Sequence, residues 1–297
     1  RFRYNGHIIG ACFIELKING KLAVFSGDIG RTIDPLLREP ERPEAADVLF
    51  IESTYGNRLH PGNAKQLLAD EINKAFDRNG TIIIPSFAVE RTQLLMYLLW
   101  QLRTEKKIPL LPVYMDSPMG KHVLDVFQHH LEWHKLSVNE SHNMCKDIHL
   151  VQTEDETDEL IRNKVRKIII ASSGMATGGR VLSYLKNYLG NPSATILLAG
   201  YQGEGTRGRA LLDGAREIKI HGRFWHVRAT VSLIEGLSAH ADQSELIHWL
   251  GAIEREPYKV FITHGEHESA HTLAEKIKQV YDWNAGIPEL NQTVDIT

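Results

Sequence analysis

The 297-residue chain carries 34 Lys and Arg against 37 Asp and Glu, a net charge of −3, with 42% hydrophobic and 24% charged residues. That balance suffices to bury a core and excludes a disordered, collagenous or coiled-coil chain, and no apolar run approaches the ~20 residues that cross a bilayer. Near-neutral charge argues against holding nucleic acid through a broadly basic surface, and two cysteines, Cys12 and Cys145, are too few for a disulfide framework, so a reducing, cytoplasmic setting is expected. The chain opens at Arg1, without a Met and already in strand-like residues, which reads as a processed or cut polypeptide.

In chain order, a loosely alternating segment at 7–18 precedes Asn19-Gly20 and a second run at 22–25. Asn-Gly between such runs predicts a hairpin, because both residues tolerate the positive φ of a type I′ turn. The second strand stops at Ser26-Gly27-Asp28, and a third, 48–51, runs into Glu52-Ser53-Thr54-Tyr55-Gly56. From about Ala64, helical periodicity (Leu67, Leu68, Ile72, Ala75, Phe76) alternates with short apolar runs at 82–84, 112–114, 168–171 and 196–198. Helix-like stretches at 90–102, 119–131 and 180–189 lie between them, which predicts βαβ units and a parallel sheet with its own core. The acidic run 154–159 reads as a solvated loop or helix face. Strand character returns at 217–220 and 225–233 as a hairpin, followed by a helix at 242–253, a buried strand at 260–262 and a last helix at 268–280. The outer segments resemble each other more than the middle, so one domain is expected to carry another inserted within it.

Fifteen histidines is a high count for this length. Functional side chains of open α/β sheets gather beyond the carboxyl ends of strands, and Asp28, Glu52 and His264 each closely follow a strand-like run and precede Gly or Ser. Singly, such an Asp also reads as an Asx-turn residue and such a His as a structural donor. With His240, in Leu237-Ser238-Ala239-His240-Ala241-Asp242 ahead of a helix, they form a set of imidazoles and carboxylates that suits zinc. A bridging carboxylate also suits a dinuclear site acting on a phosphoryl group. His267-Glu268-Ser269-Ala270-His271 matches H-E-x-x-H, the zinc-peptidase motif, but it starts beside a strand-end loop and names no third ligand, which disfavours a peptidase. Two glycine-rich turns, from Ser172 to Arg180 and from Gly200 to Gly208, offer amides to an anion, with Arg180 or Arg207 adding charge. Tight βα packing explains both turns equally well, and neither is a P-loop.

With these residues in place, nearly the whole chain resembles the β-CASP group of metallo-β-lactamase-fold nucleases, to which ribonuclease J and the polyadenylation endonuclease belong. The likeness rests on Gly6-His7-Ile8-Ile9-Gly10-Ala11, Ser26-Gly27-Asp28-Ile29-Gly30-Arg31, Glu52-Ser53-Thr54-Tyr55-Gly56 and Ile84-Pro85-Ser86-Phe87-Ala88-Val89-Glu90-Arg91. It continues through Met115-Asp116-Ser117-Pro118-Met119, Ser173-Gly174-Met175, Ser238-Ala239-His240 and Thr263-His264-Gly265-Glu266. The resemblance implies an α/β chain: a partial metallo-β-lactamase αββα fold at 1–63 and 213–297, with a β-CASP α/β domain inserted at 64–212. It implies His7, Asp28 and His264 as metal ligands, Asp28 bridging two Zn2+ ions. Glu52 and His240 resemble the catalytic pair in which His protonates the leaving oxygen and Glu orients it, a role that suits an imidazole near pH 7. In that scheme a metal-bound hydroxide attacks phosphorus, and Ser173, Arg180 and Arg207 are substrate-binding candidates.

The resemblance therefore implies zinc-dependent hydrolysis of RNA, by endonuclease or 5′ exonuclease action, in a cytoplasmic protein that partners RNA and no membrane and that forms a homodimer. The family's H-x-H-x-D-H loop, expected ahead of His7, occurs nowhere in these residues. A polypeptide limited to Arg1 through Thr297 is therefore expected to be truncated, to hold zinc weakly and to cleave RNA poorly. The alternative is a non-enzymatic relative that holds RNA or scaffolds a processing complex. Small-molecule hydrolases of the same fold are disfavoured, because they lack a long insert before the final histidine.

Overall fold

The computed structural model describes residues 1–294. Strands β1 (Phe2–Tyr4), β2 (Cys12–Ile18), β3 (Lys21–Phe25) and β4 (Val48–Glu52) lead into α1 (Ala64–Asp77), β5 (Ile82–Pro85), α2 (Arg91–Thr104), β6 (Val113–Asp116), α3 (Pro118–His129) and α4 (Val138–Lys146). Next come β7 (Ile148–Leu150), α5 (Glu154–Arg162), β8 (Ile168–Ala171), α6 (Val181–Tyr188), β9 (Thr195–Ala199) and α7 (Arg207–Leu212). The chain closes with β10 (Glu217–Ile220), β11 (Arg223–His226), β12 (Thr230–Ile234), α8 (Gln243–Leu250), β13 (Lys259–Thr263), α9 (His267–Tyr281) and β14 (Ala285–Gly286). No helix among the described residues is long and apolar enough to cross a membrane. The packing divides the chain into two compact units: one takes the chain up to His60, Trp133–Lys135 and everything from Ala239 on; the other takes Pro61–Glu132 and Leu136–Ser238.

In the first unit a mixed sheet runs in the order β1-β2-β3-β4-β13-β14. The β2–β3 hairpin turns at Asn19 (φ 48°) and Gly20 (φ 79°), the positive-φ pair that a type I′ turn needs. Alternation in the strands sends Phe13, Val24, Leu49, Ile51, Val260 and Ile262 into one core with Leu246, Trp249 and Leu250 of α8 and Leu273 and Ile277 of α9. On the opposite face Phe25, Phe50 and Phe261 stack across three strands, with centroids 4.6 and 5.1 Å apart.

In the second unit an all-parallel sheet runs in the order β12-β9-β5-β8-β6-β7. Its short strands are apolar on both sides, as strands covered by helices on both faces must be. One core joins Ile83, Ile169, Ile196 and Leu198 of the sheet to α5, α6 and α7 through Leu160, Val181, Leu185 and Leu211. α2 packs against α1 and α4, and α3 against α4. Right-handed crossovers explain the division: β5 and β6 step one way along the sheet through α2, while β8 and β9 step the other way through α6.

The run 225–233, read from sequence as the second arm of one hairpin, is two strands. β11 pairs with β10, and β12 joins the parallel sheet beside β9. The break between them is tertiary: Arg228 and Ala229 both donate their backbone N–H to the Leu189 carbonyl, at 2.7 and 2.9 Å. Because β12 belongs to this sheet, the second compact unit runs to Ser238.

Candidate metal centre

β1 is antiparallel to β2 and β2 to β3, whereas β3, β4 and β13 are mutually parallel. β1, β3, β4 and β13 therefore point the same way, and His7, Asp28, Glu52 and His264 sit at or just beyond their carboxyl ends, on one edge. His240 arrives from the chain ahead of α8, through a bridge to Gly30 and an Ala241 N–H donated to Ile29 O at 2.7 Å. Five residues spread over the sequence are brought together in the first unit.

Asp28 lies between two imidazoles, with Oδ1 3.0 Å from His264 Nδ1 and Oδ2 3.8 Å from His7 Nε2. The His7 ring packs on that of His240 at 4.3 Å between centroids. Nδ1 of His240 meets both oxygens of Glu52, at 3.1 and 3.0 Å. Glu52 is 1% exposed, and it accepts the backbone N–H of Ile29 at 2.5 Å and of Thr54 at 3.3 Å. With Nδ1 of His240 engaged by Glu52, Nε2 is the ring nitrogen turned away from the pair.

Backbone packing holds these groups in place. Asn5, itself buried, donates Nδ2 to the carbonyls of Ser26 and Asp28 at 2.7 and 2.6 Å, and so anchors the β3 turn to the loop that carries His7. A Cβ on Gly30 would stand 2.0 Å from the Gly6 carbonyl carbon, and one on Gly265 would stand 2.2 Å from Ser53 Oγ. Only glycine permits either approach. His264 has a left-handed backbone (φ 50°), and Thr54 Oγ1 donates to its carbonyl at 3.2 Å. Sequence reading missed Asn5, which carries no motif-level signal, and gave no role to Gly30 and Thr54, although both stand in the family strings.

Electrostatics separates the imidazoles. Burial, then the field of His240, pushes His7 down to about 4, so it is neutral as a metal ligand must be. The hydrogen bond to Asp28 raises His264. Burial alone would raise Asp28, but the hydrogen bond from His264 and the nearby imidazoles outweigh it and hold the carboxyl below its usual range.

Donor atoms of Asp28, Glu52, His240 and His264 all lie within 4.8 Å of one another, and among the described residues they form the one such set of three or more. Ligands on a tetrahedral zinc at about 2.0–2.1 Å stand about 3.4 Å apart; Asp28 meets His264 at hydrogen-bonding distance, 3.0 Å, and His7, expected as a ligand, stands 3.8 Å from Asp28 and lies outside the set of four. Imidazole and carboxylate donors suit zinc, and the residues present fit it. His267 and His271 open α9 with their rings 4.3 Å apart and take no part in this set.

The three substrate-binding candidates lie in the second unit. Ser173 Oγ is turned into its own loop, accepting the N–H of Thr177 and Gly178 at 3.2 and 3.3 Å. Arg207 donates to the carbonyls of Lys219, Ala176 and Thr177 at 2.7, 3.2 and 3.0 Å, and so clamps two chain segments together. Arg180 lines a cavity.

Residues 92–211 match the family profile described as Beta-Casp domain, and residues 225–288 match the one described as Zn-dependent metallo-hydrolase RNA specificity domain. The chain carries a Beta-Casp domain followed by an RNA specificity domain of the Zn-dependent metallo-hydrolases. Its mixed α/β architecture, with one α/β unit inserted into the other along the chain, fits a metallo-β-lactamase fold with a β-CASP insertion. It is 31% identical over 280 residues to a protein of Thermus thermophilus named as a ribonuclease, covering 92% of this chain and 64% of that one. It is 33% identical over 280 residues to an RNase J-like protein of Methanocaldococcus jannaschii, covering 92% and 65%. It is 31% identical over 309 residues to the transcription termination factor FttA of Methanothermobacter thermautotrophicus, covering 98% and 48%. The chain thus spans less than two thirds of the length of these relatives.

Proposed function

We propose that this chain carries part of a zinc-dependent phosphodiesterase centre that hydrolyses RNA, as an endonuclease, a 5′ exonuclease or both. The observation that carries the reading is the His240–Glu52 pair beside a carboxylate flanked by His7 and His264. The relatives named as ribonucleases support RNA as the substrate.

In this reading His7, Asp28 and His264 hold metal, with Asp28 offering one oxygen to each side. Bound zinc supplies Lewis-acid stabilisation of charge on the phosphate and lowers the pKa of water. The protein's own part is proton management. Glu52 orients the His240 ring, and Nε2 gives its proton to the departing oxygen. Glu52 is buried and His240 is only partly exposed, so the donor is aimed by a partner shielded from solvent.

The test is the metal content of the full-length protein together with its products from 5′-labelled RNA. His240→Ala is expected to lower cleavage by about 10²- to 10⁴-fold with zinc content unchanged. Wild-type turnover in that variant, or a wild-type protein that binds no zinc, overturns the reading.

A further inference from the structure

The second unit holds a cavity of about 460 Å³ that the proposed chemistry does not use. Its walls include Pro118 at the start of α3, Glu154, Thr157 and Asp158 of α5, Arg180 before α6, and His221 in the β10–β11 turn. Neighbouring strands β6 and β8 hand the chain to α3 and α6, on opposite faces of the sheet. The gap beyond their carboxyl ends is thus a topological switch point, where open α/β sheets take ligands. The volume is that of a small-molecule site.

Arg180 is set in place by a buried relay. Its Nη1 donates to Thr157 Oγ1 at 2.7 Å, and Thr157 donates to Asp116 Oδ2 at 2.6 Å, which also accepts from Tyr184 OH at 2.6 Å. Asp116 is fully buried, and its Oδ1 has no hydrogen-bond partner among the described residues. Glu154 and Asp158 line the same cavity as Arg180. A bare phosphate would be repelled by the two carboxylates, and a simple cation by the guanidinium. A ligand that meets both carries an anion at one end and hydrogen-bond donors at the other.

We propose that this cavity is a ribonucleotide subsite, in which Arg180 takes the phosphate, Glu154 and Asp158 accept from ribose hydroxyls or an exocyclic amine, and the His221 ring stacks on the base. The ligand class rests on the reading of the chain as an RNA hydrolase. The same chemistry is offered by a free nucleotide and by one nucleotide of an RNA strand.

The experiment measures binding of 5′-AMP, of 5′-dAMP and of a labelled RNA oligonucleotide to the full-length protein, its Arg180→Gln variant and its His221→Gly variant. His221 has φ 48°, which glycine adopts freely, so that variant removes the ring without straining the turn. Each variant is expected to weaken binding by about tenfold or more for Arg180→Gln and several-fold for His221→Gly, with melting temperatures unchanged. AMP binding stronger than dAMP binding supports the proposal with a free nucleotide as ligand. RNA binding without AMP binding, weakened in both variants, supports it with the polymer as ligand. Variants that melt like wild type and bind AMP and RNA as wild type does overturn it, as does a wild type that binds neither. A wild type that cleaves no RNA but binds AMP through Arg180 removes the hydrolase reading and leaves the subsite standing.

Discussion

His7 and His264 address opposite oxygens of one carboxylate, Oδ2 and Oδ1 of Asp28, at 3.8 and 3.0 Å. An amide in its place keeps the shape but turns one oxygen into a donor that no metal accepts. Asp28→Asn is therefore expected to lose zinc. Wild-type protein at a hundredfold excess of zinc over its dissociation constant gains about 2.7 kcal/mol of stability, and the variant gains close to none. Thermal melts with and without zinc, alongside metal analysis, check this; an equal zinc-induced rise in the variant overturns the ligand assignment.

Metal-free protein is expected to lose stability on mild acidification through His7, which faces Asp28, Glu52 and His240. Between about pH 4 and its ordinary value of 6.5 the unfolded chain binds a proton there that the folded chain does not, so stability falls as pH drops through that window, by on the order of 3 kcal/mol. His264, raised by Asp28, works in the other direction: its contribution is complete at acid pH and is lost as pH rises through its elevated pKa. Asp28 loses its contribution only as pH falls through its lowered value. Chelator-treated His7→Gln should show a flatter stability profile between pH 6.5 and 4, and an unchanged slope there sinks the assignment.

Glu52→Gln is expected to separate orientation from metal binding. The amide keeps an oxygen for the Ile29 N–H but presents N–H where His240 Nδ1 now donates, at 3.0–3.1 Å, which disfavours the working tautomer. RNA cleavage should fall at least about 10²-fold with zinc content retained. A variant with the wild-type rate refutes the pairing.

Gly30→Ala is expected to damage the site without touching a donor. The new Cβ would meet the Gly6 carbonyl carbon at 2.0 Å, so the loop holding His7 has to move. The expected result is a loss of about 1–3 kcal/mol of stability together with weaker zinc binding, read by melting and by metal titration. Wild-type zinc affinity in a folded Gly30→Ala protein contradicts the role given to this contact.

Asp28, Glu52 and His264 were legible in the sequence because each ends an apolar run, and strand ends are where open sheets put chemistry. His7 became legible only through the family strings, since nothing local distinguishes it from an ordinary loop histidine. Asn5 was not legible, and Gly30 stood in a family string without a role: what they do arises where two distant backbone segments cross, and no periodicity records a crossing. The β11–β12 break was hidden for a related reason. Val227-Arg228-Ala229 contains no Gly or Pro, and the interruption is made by the Leu189 carbonyl from elsewhere in the fold.

The four strand-end donors hang from main-chain ladders whose alignment is set by Leu49, Ile51, Val260 and Ile262 on the far side from solvent. A change in the length of a surface connection leaves these anchor points where the ladders put them, so the site's geometry is a property of the sheet rather than of the loops that close over it.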